Sequence, residues 1–203
     1  MPTPPKHRDA IIRAATDLFR QQGYAATGLN EIVARSGAPK GSLYHYFPRG
    51  KEQIGEEVVR GAGRVVAMTL AELAAGEPGP GAVLRRYARL VVGWMEASDF
   101  HDGGPITTVL LELAPGVHGV TAAGREAFAS WSAVLDGELT KRGVTRARAR
   151  RLSTLAISAL EGSLVLARVQ QDGRPIRDAM DAVAELFDAA TAGAGSVPPS
   201  APR

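Results

Sequence analysis

Six neighbouring residues carry the most suggestive chemistry in the chain: Lys40, Gly41, Ser42, Tyr44, His45 and Tyr46. A helix over them turns Leu43 and Phe47, at i and i+4, toward a core and leaves the six on the opposite face. A surface helix has no internal reason to expose two tyrosines, a histidine and a lysine so close together. The set suits duplex DNA. Lys40 can meet phosphate or guanine, Ser42 can read a base edge, and Gly41 lets the backbone approach closely. Tyr44, His45 and Tyr46 can donate to phosphate oxygens, which fixes register without reading sequence. Lys51 opens the next helix and can hold a further phosphate. Thr27, at the start of the preceding helix, completes the candidate DNA-binding set. The plainer alternative is a helical hairpin with a wet polar face.

The flanking elements must present that face. Leu29, Ile32, Val33 and Ser36 recur at helical spacing just before it. Gly37 can take φ > 0 and close that helix, and Pro39 suits the first turn of the next. Two helices joined by a Gly-containing turn form a helix-turn-helix. An amphipathic helix over 7–22 supplies Ile11, Ala15, Leu18 and Phe19 to a three-helix core. So small a core is marginal alone and needs the following helix. Of that preceding helix, Arg13 reads as a solvated charge, whereas Lys6 and Arg8 stand where they could touch the DNA backbone or minor groove.

At these residues the chain resembles the DNA-binding domain of TetR-family repressors. GAPKGSLYHYF is similar to the family's recognition helix, with Gly37, Lys40, Gly41, Leu43, Tyr44 and Phe47 matching. TGLNEI before it and Pro48-Arg49-Gly50 ahead of Lys51-Glu52 resemble the LmrA/YxaF-like branch, as does GGPITTVLLELA at 103–114. Pro39 and Gly28 replace hydroxyl residues that many members place there, so either Thr27 or Gly28 caps the first helix. The resemblance implies a homodimer on a palindromic operator and a small hydrophobic, aromatic or phenolic effector.

Composition agrees. The 203 residues are 45% hydrophobic and lack cysteine, which excludes disulfides and thiolate chemistry. Residues 1–52 hold eight Lys/Arg against four Asp/Glu, and residues 53–203 hold sixteen against seventeen, so the basic excess accompanies the helix-turn-helix. No apolar run is expected to span a membrane, and the protein is expected to be cytoplasmic, with no membrane partner and no cofactor.

The expected fold is all-α: a DNA-binding domain over 1–52, a helical ligand-binding and dimerisation domain over 53–192, and a disordered tail over 193–203. A long helix from about 51 to 75 joins the first two as a lever. Its Gly55, Gly61 and Gly63 serve either bending or close packing. Met68, Trp94, Phe100, Ile106, Leu110, Phe128 and Trp131 are candidates for an apolar ligand pocket. A helix from about 145 to 172 is apolar nearly all round and must be covered on every side. Its Ala156, Ile157, Leu160 and Leu164, with Val183 and Phe187 of the last helix, are candidates for a dimer interface. The competing function is a small enzyme or scaffold using Asp99, His101 and Asp102, with His118 nearby. That spacing matches no standard metal motif, and no phosphate-binding or nucleophile motif occurs.

Overall fold

The computed structural model of the chain describes residues 6–194. The Pro-rich lead and nearly all of the expected tail lie outside the described residues. Among them, nine helices account for the regular structure: α1 (Lys6–Gln22), α2 (Leu29–Ser36), α3 (Lys40–Tyr46), α4 (Lys51–Gly76), α5 (Pro80–Ala97), α6 (Pro105–Leu113), α7 (His118–Thr140), α8 (Arg146–Gln170) and α9 (Arg174–Ala194).

Two compact units form. The first takes the chain up to Val65 together with His101–Phe128, and the second takes Val66–Phe100 with the described chain from Ala129 onward. The first unit therefore includes more than residues 1–52. The reason is packing. α1 meets α2, α3 and α6. Ile11, Phe19, Ile32, Leu43, Phe47, Ile54 and Val58 are buried together, each contributing roughly 1.5–3 kcal/mol by leaving water. Glycines set the close approaches. A Cβ on Gly55 would stand 3.2 Å from the Tyr24 ring and 3.4 Å from Val109, and one on Gly63 would stand 2.6 Å from the Ala127 Cβ. These two glycines serve packing, while Gly61 faces open space.

In the second unit α9 packs on both α5 and α8. Val83, Leu84, Tyr87, Val91, Met180, Val183 and Phe187 are buried there. Burial pushes the Tyr87 hydroxyl well above the ordinary phenol range, and Glu161 adds to the effect. α8 turns a mostly small-residue stripe inward: Ala149, Ser153, Ala156, Ser163 and Ala167, with Leu160 among them, are buried at alternating spacings of four and three. Large apolar residues point outward instead, with Leu155, Val165, Leu166 and Val169 all exposed.

This corrects four of the six expected interface residues. Ala156, Leu160, Val183 and Phe187 belong to the chain's own core, and Ile157 and Leu164 are half-buried. The small residues let α8 approach its own neighbours, a closeness the sequence had suggested for a partner. α8 also meets the length and hydropathy of a membrane span, contrary to the expectation that no segment does.

Candidate nucleic-acid interface

The turn between α2 and α3 follows from its residues. Gly37 adopts φ 63, and its N–H donates to the Ala34 carbonyl, closing α2 in the left-handed conformation. Pro39, at φ −56 and ψ 138, is the N-cap of α3. The N–H of Ser42 donates to the Pro39 carbonyl at 2.8 Å. Gly28 is the N-cap of α2 and offers no side-chain bond.

α3 then stands on Leu43 and Phe47, both buried, with Ala38 beside them. Lys40, Gly41, Tyr44 and His45 are exposed, and Ser42 and Tyr46 half-exposed. Tyr44, at 58% exposure, has most of its ring in solvent. The His45 and Tyr46 rings meet edge-on, 4.9 Å apart. Five polar side chains and Gly41 are thus open to solvent, as groups that meet phosphates and base edges must be.

Two members of the candidate set stand elsewhere. Thr27 is buried, and its hydroxyl donates to the Gly23 carbonyl at 2.8 Å. Its side chain closes the turn after α1 and is not presented to DNA. Lys51 places its ammonium 4.2 Å from the Tyr24 ring centroid and donates to the Ala25 carbonyl at 3.3 Å. Burial lowers its pKa, with Glu112 opposing. Tyr24 is pushed up to about 12 by burial, reinforced by Glu52 and Glu112. Arg8 is also engaged within the chain, pairing with Glu57 at 2.7 Å beside the Phe47 ring.

Behind α3 an ion-pair cluster braces the entry to α4. Arg49 donates to Glu56 at 2.9 Å, and Arg60 donates to the other oxygen of the same carboxylate. The Arg49 bond is the main cause that holds the Glu56 carboxyl below its ordinary range; burial opposes it and Arg60 assists. Gly119 makes room, since a Cβ there would overlap the Glu56 carboxylate. Its three charged members lie within residues 49–60, but the room for the shared carboxylate comes from Gly119, far off in sequence, and helical periodicity does not signal that.

The comparisons with known proteins agree with this geometry. Residues 11–58 match the tetR family of bacterial regulatory proteins, and residues 80–182 match the C-terminal domain of LmrA/YxaF-like transcriptional regulators. The chain belongs to the TetR family. It is 33% identical to the HTH-type transcriptional regulator YxaF of Bacillus subtilis, over 83% of this chain and 88% of that protein. It is 30% identical to the HTH-type transcriptional regulator LmrA of the same organism, over 89% of this chain and 96% of that protein. A crystal structure of regulatory protein TetR from Rhodobacter sphaeroides shares the fold with TM-score 0.77 at 23% identity, covering 89% of this chain and 98% of that one. This TetR-family chain is therefore a DNA-binding transcriptional regulator and not an enzyme. The rival loop is used structurally: Asp102 pairs with Arg20 at 3.1 Å.

The candidate pocket residues divide between the units. Ile106, Leu110 and Phe128 belong to the first, Met68, Trp94, Phe100 and Trp131 to the second. Leu110 is seated on Gly124, where a Cβ would stand 2.6 Å from its Cδ2. Met68 and Trp94 are 61% and 46% exposed. Trp131 lines a small apolar cavity of about 20 Å³ with Leu70, Leu84, Tyr87, Leu135 and Met180. That volume holds about one water.

Proposed function

We propose that this TetR-family protein is a ligand-responsive repressor, released from a palindromic operator by a small hydrophobic or aromatic molecule. The observation that carries the reading is the exposed α3 face, with Lys40, Gly41, Ser42, Tyr44, His45 and Tyr46 backed by buried Leu43 and Phe47. Lys40 contacts phosphate or guanine, Ser42 a base edge, and the aromatic trio the backbone.

A palindrome needs two such faces about 34–36 Å apart, hence a two-fold dimer. The exposed apolar residues of α8 and α9 support one. Leu155, Val165, Leu166 and Val169 lie along one side of α8, and Leu186 is exposed on α9. A second copy covers them better than a bilayer does, because Glu161 and Arg168 interrupt α8 and the family is one of DNA-binding regulators.

The effector site forms around Trp131 and the cavity beside Tyr87. At about 20 Å³ that space must widen to admit a drug-sized molecule, which occupies roughly 300 Å³ or more. An effector that prefers the widened state displaces α4, which begins beside α3 in sequence, and operator affinity falls by a coupling of about 1–3 kcal/mol. Selection of bound duplexes from a random pool tests the reading: a palindromic consensus is expected. Mobility shifts on that consensus then follow, with hydrophobic and aromatic candidates added. Equal affinity with every candidate removes the effector half of the proposal, and recovery of no consensus removes the operator half.

A further inference from the structure

The strongest feature outside the α3 face is a carboxylate that reaches across the first unit. Glu112, on α6, accepts the N–H of Tyr24 at 2.9 Å and the N–H of Ala25 at 2.6 Å. Both N–H groups lie in the turn from α1 to α2, ahead of the first residue of α2, so no helical carbonyl serves them. The turn is shaped for this contact. Gly23 takes φ +86, and a Cβ on it would stand 3.0 Å from Glu112 Oε1. Gly55 admits the Tyr24 ring, and Lys51 donates to the Ala25 carbonyl at 3.3 Å.

The segment ahead of α6 holds the end of α1 as well. Arg20 pairs with Asp102 at 3.1 Å, and the Gly103 N–H donates to the Arg20 carbonyl at 2.8 Å. The stretch from Asp102 to Glu112 therefore grips α1 and the following turn at two places. α2 begins four residues after Ala25, at Leu29, with only Gly28 as its cap. With no side-chain bond at its N-cap, α2 takes its direction from its packing on α1 and from this turn.

We propose that Glu112 is a positioning residue for operator binding. By holding the Tyr24 and Ala25 N–H groups it fixes where α2 stands, and through the α2–α3 turn where α3 stands. The proposal rests on α3 being the DNA-reading element. Its sign is opposite to plain electrostatics: deleting an acid from a DNA-binding unit relieves repulsion and tightens binding. Loss of the positioning contact weakens operator binding instead.

Full-length wild type, Glu112→Gln and Glu112→Ala are compared on the selected operator and on a scrambled duplex. The expected Kd for operator rises about tenfold or more in Glu112→Ala, the scale of one hydrogen bond to a charged group. Glu112→Gln retains one carbonyl acceptor and falls between the two. Scrambled-duplex affinity is unchanged or tighter in both. Amide hydrogen exchange at Tyr24 and Ala25 is slow in wild type and accelerates in the variants. Operator affinity that stays level or improves in the variants overturns the proposal, as does free exchange of those two amides in wild type. The wild-type exchange needs no variant, so it decides even where Glu112→Ala does not fold. A wild type that selects no DNA sequence points instead to failure of the α3 reading, and takes this inference with it.

Discussion

Lys40 and Tyr44 do different work on the same face, and their substitutions separate accordingly. Lys40→Ala removes the exposed charge that the proposed reading places on phosphate or guanine. Operator binding should weaken by about 1–3 kcal/mol if it reads guanine, or weaken on all sequences with a salt slope reduced by about one if it holds phosphate. Titrations at several salt concentrations distinguish the two. Tyr44→Ala removes an exposed ring, so folding stability should stay within about 0.5 kcal/mol while DNA affinity drops. Glu56 is the converse, a residue of the fold. Its carboxyl lies below its ordinary value of 4.5, chiefly through the Arg49 bond, with burial opposing and Arg60 adding. A group depressed in the folded state stabilises above its unfolded value, and that contribution is lost as pH falls through the folded one. Glu56→Gln should therefore cost roughly 1–3 kcal/mol near neutrality and leave a shallower acid limb below about pH 4.5. Urea unfolding across that range measures both, and parallel limbs would argue against the linkage.

At the scale of elements, α4 offers a paired test of what its glycines do. Gly61 has nothing within 4 Å of a built Cβ, whereas one on Gly63 would stand 2.6 Å from the Ala127 Cβ. Gly61→Ala should then stabilise by up to about 1 kcal/mol through helix propensity. Gly63→Ala gains the same propensity but overpacks, at a cost of about 1–3 kcal/mol, and should end level or destabilised. Thermal unfolding followed by circular dichroism reads both; a gain of equal size at both sites would contradict the packing. The sequence left this choice open because periodicity locates a glycine on a helix but not its neighbour on another. The same reason divides what was legible from what was not. The α2–α3 turn was readable since Gly37, Pro39, Leu43 and Phe47 act over a few residues. The contacts of Glu112 on Tyr24 and Ala25 span 88 and 87 positions and leave no local signature. The burial of Thr27 was not legible because a hydroxyl near a helix start looks alike in sequence whether it faces solvent or the Gly23 carbonyl.

For the whole molecule, the proposed dimer turns on α8. Being apolar nearly all round, it gives no periodic signal of which side faces home, and the small residues suggested close contact with a partner. The structure spends that stripe, from Ala149 through Ala167, on the chain's own core. What remains outward is bulkier: Leu155, Val165, Leu166 and Val169, the last 79% exposed. An exposed apolar strip of this kind marks an interaction surface. Leu166→Glu combined with Val169→Glu puts two charges on it without entering the core. Sedimentation at micromolar concentration should show a dimer for wild type and a monomer for the variant, with helicity retained. Phe187→Ala is the contrasting case, since Phe187 is fully buried within the chain. It should cost about 3–5 kcal/mol of folding stability, and any change in assembly should follow from that loss. A palindromic operator needs both half-sites held at once. The charged double variant should therefore keep its single α3 face and bind an isolated half-site as wild-type subunits do, yet lose the advantage of the full palindrome. Equal affinity of dimer and monomer for the full site would mean that the two faces are not coupled through α8.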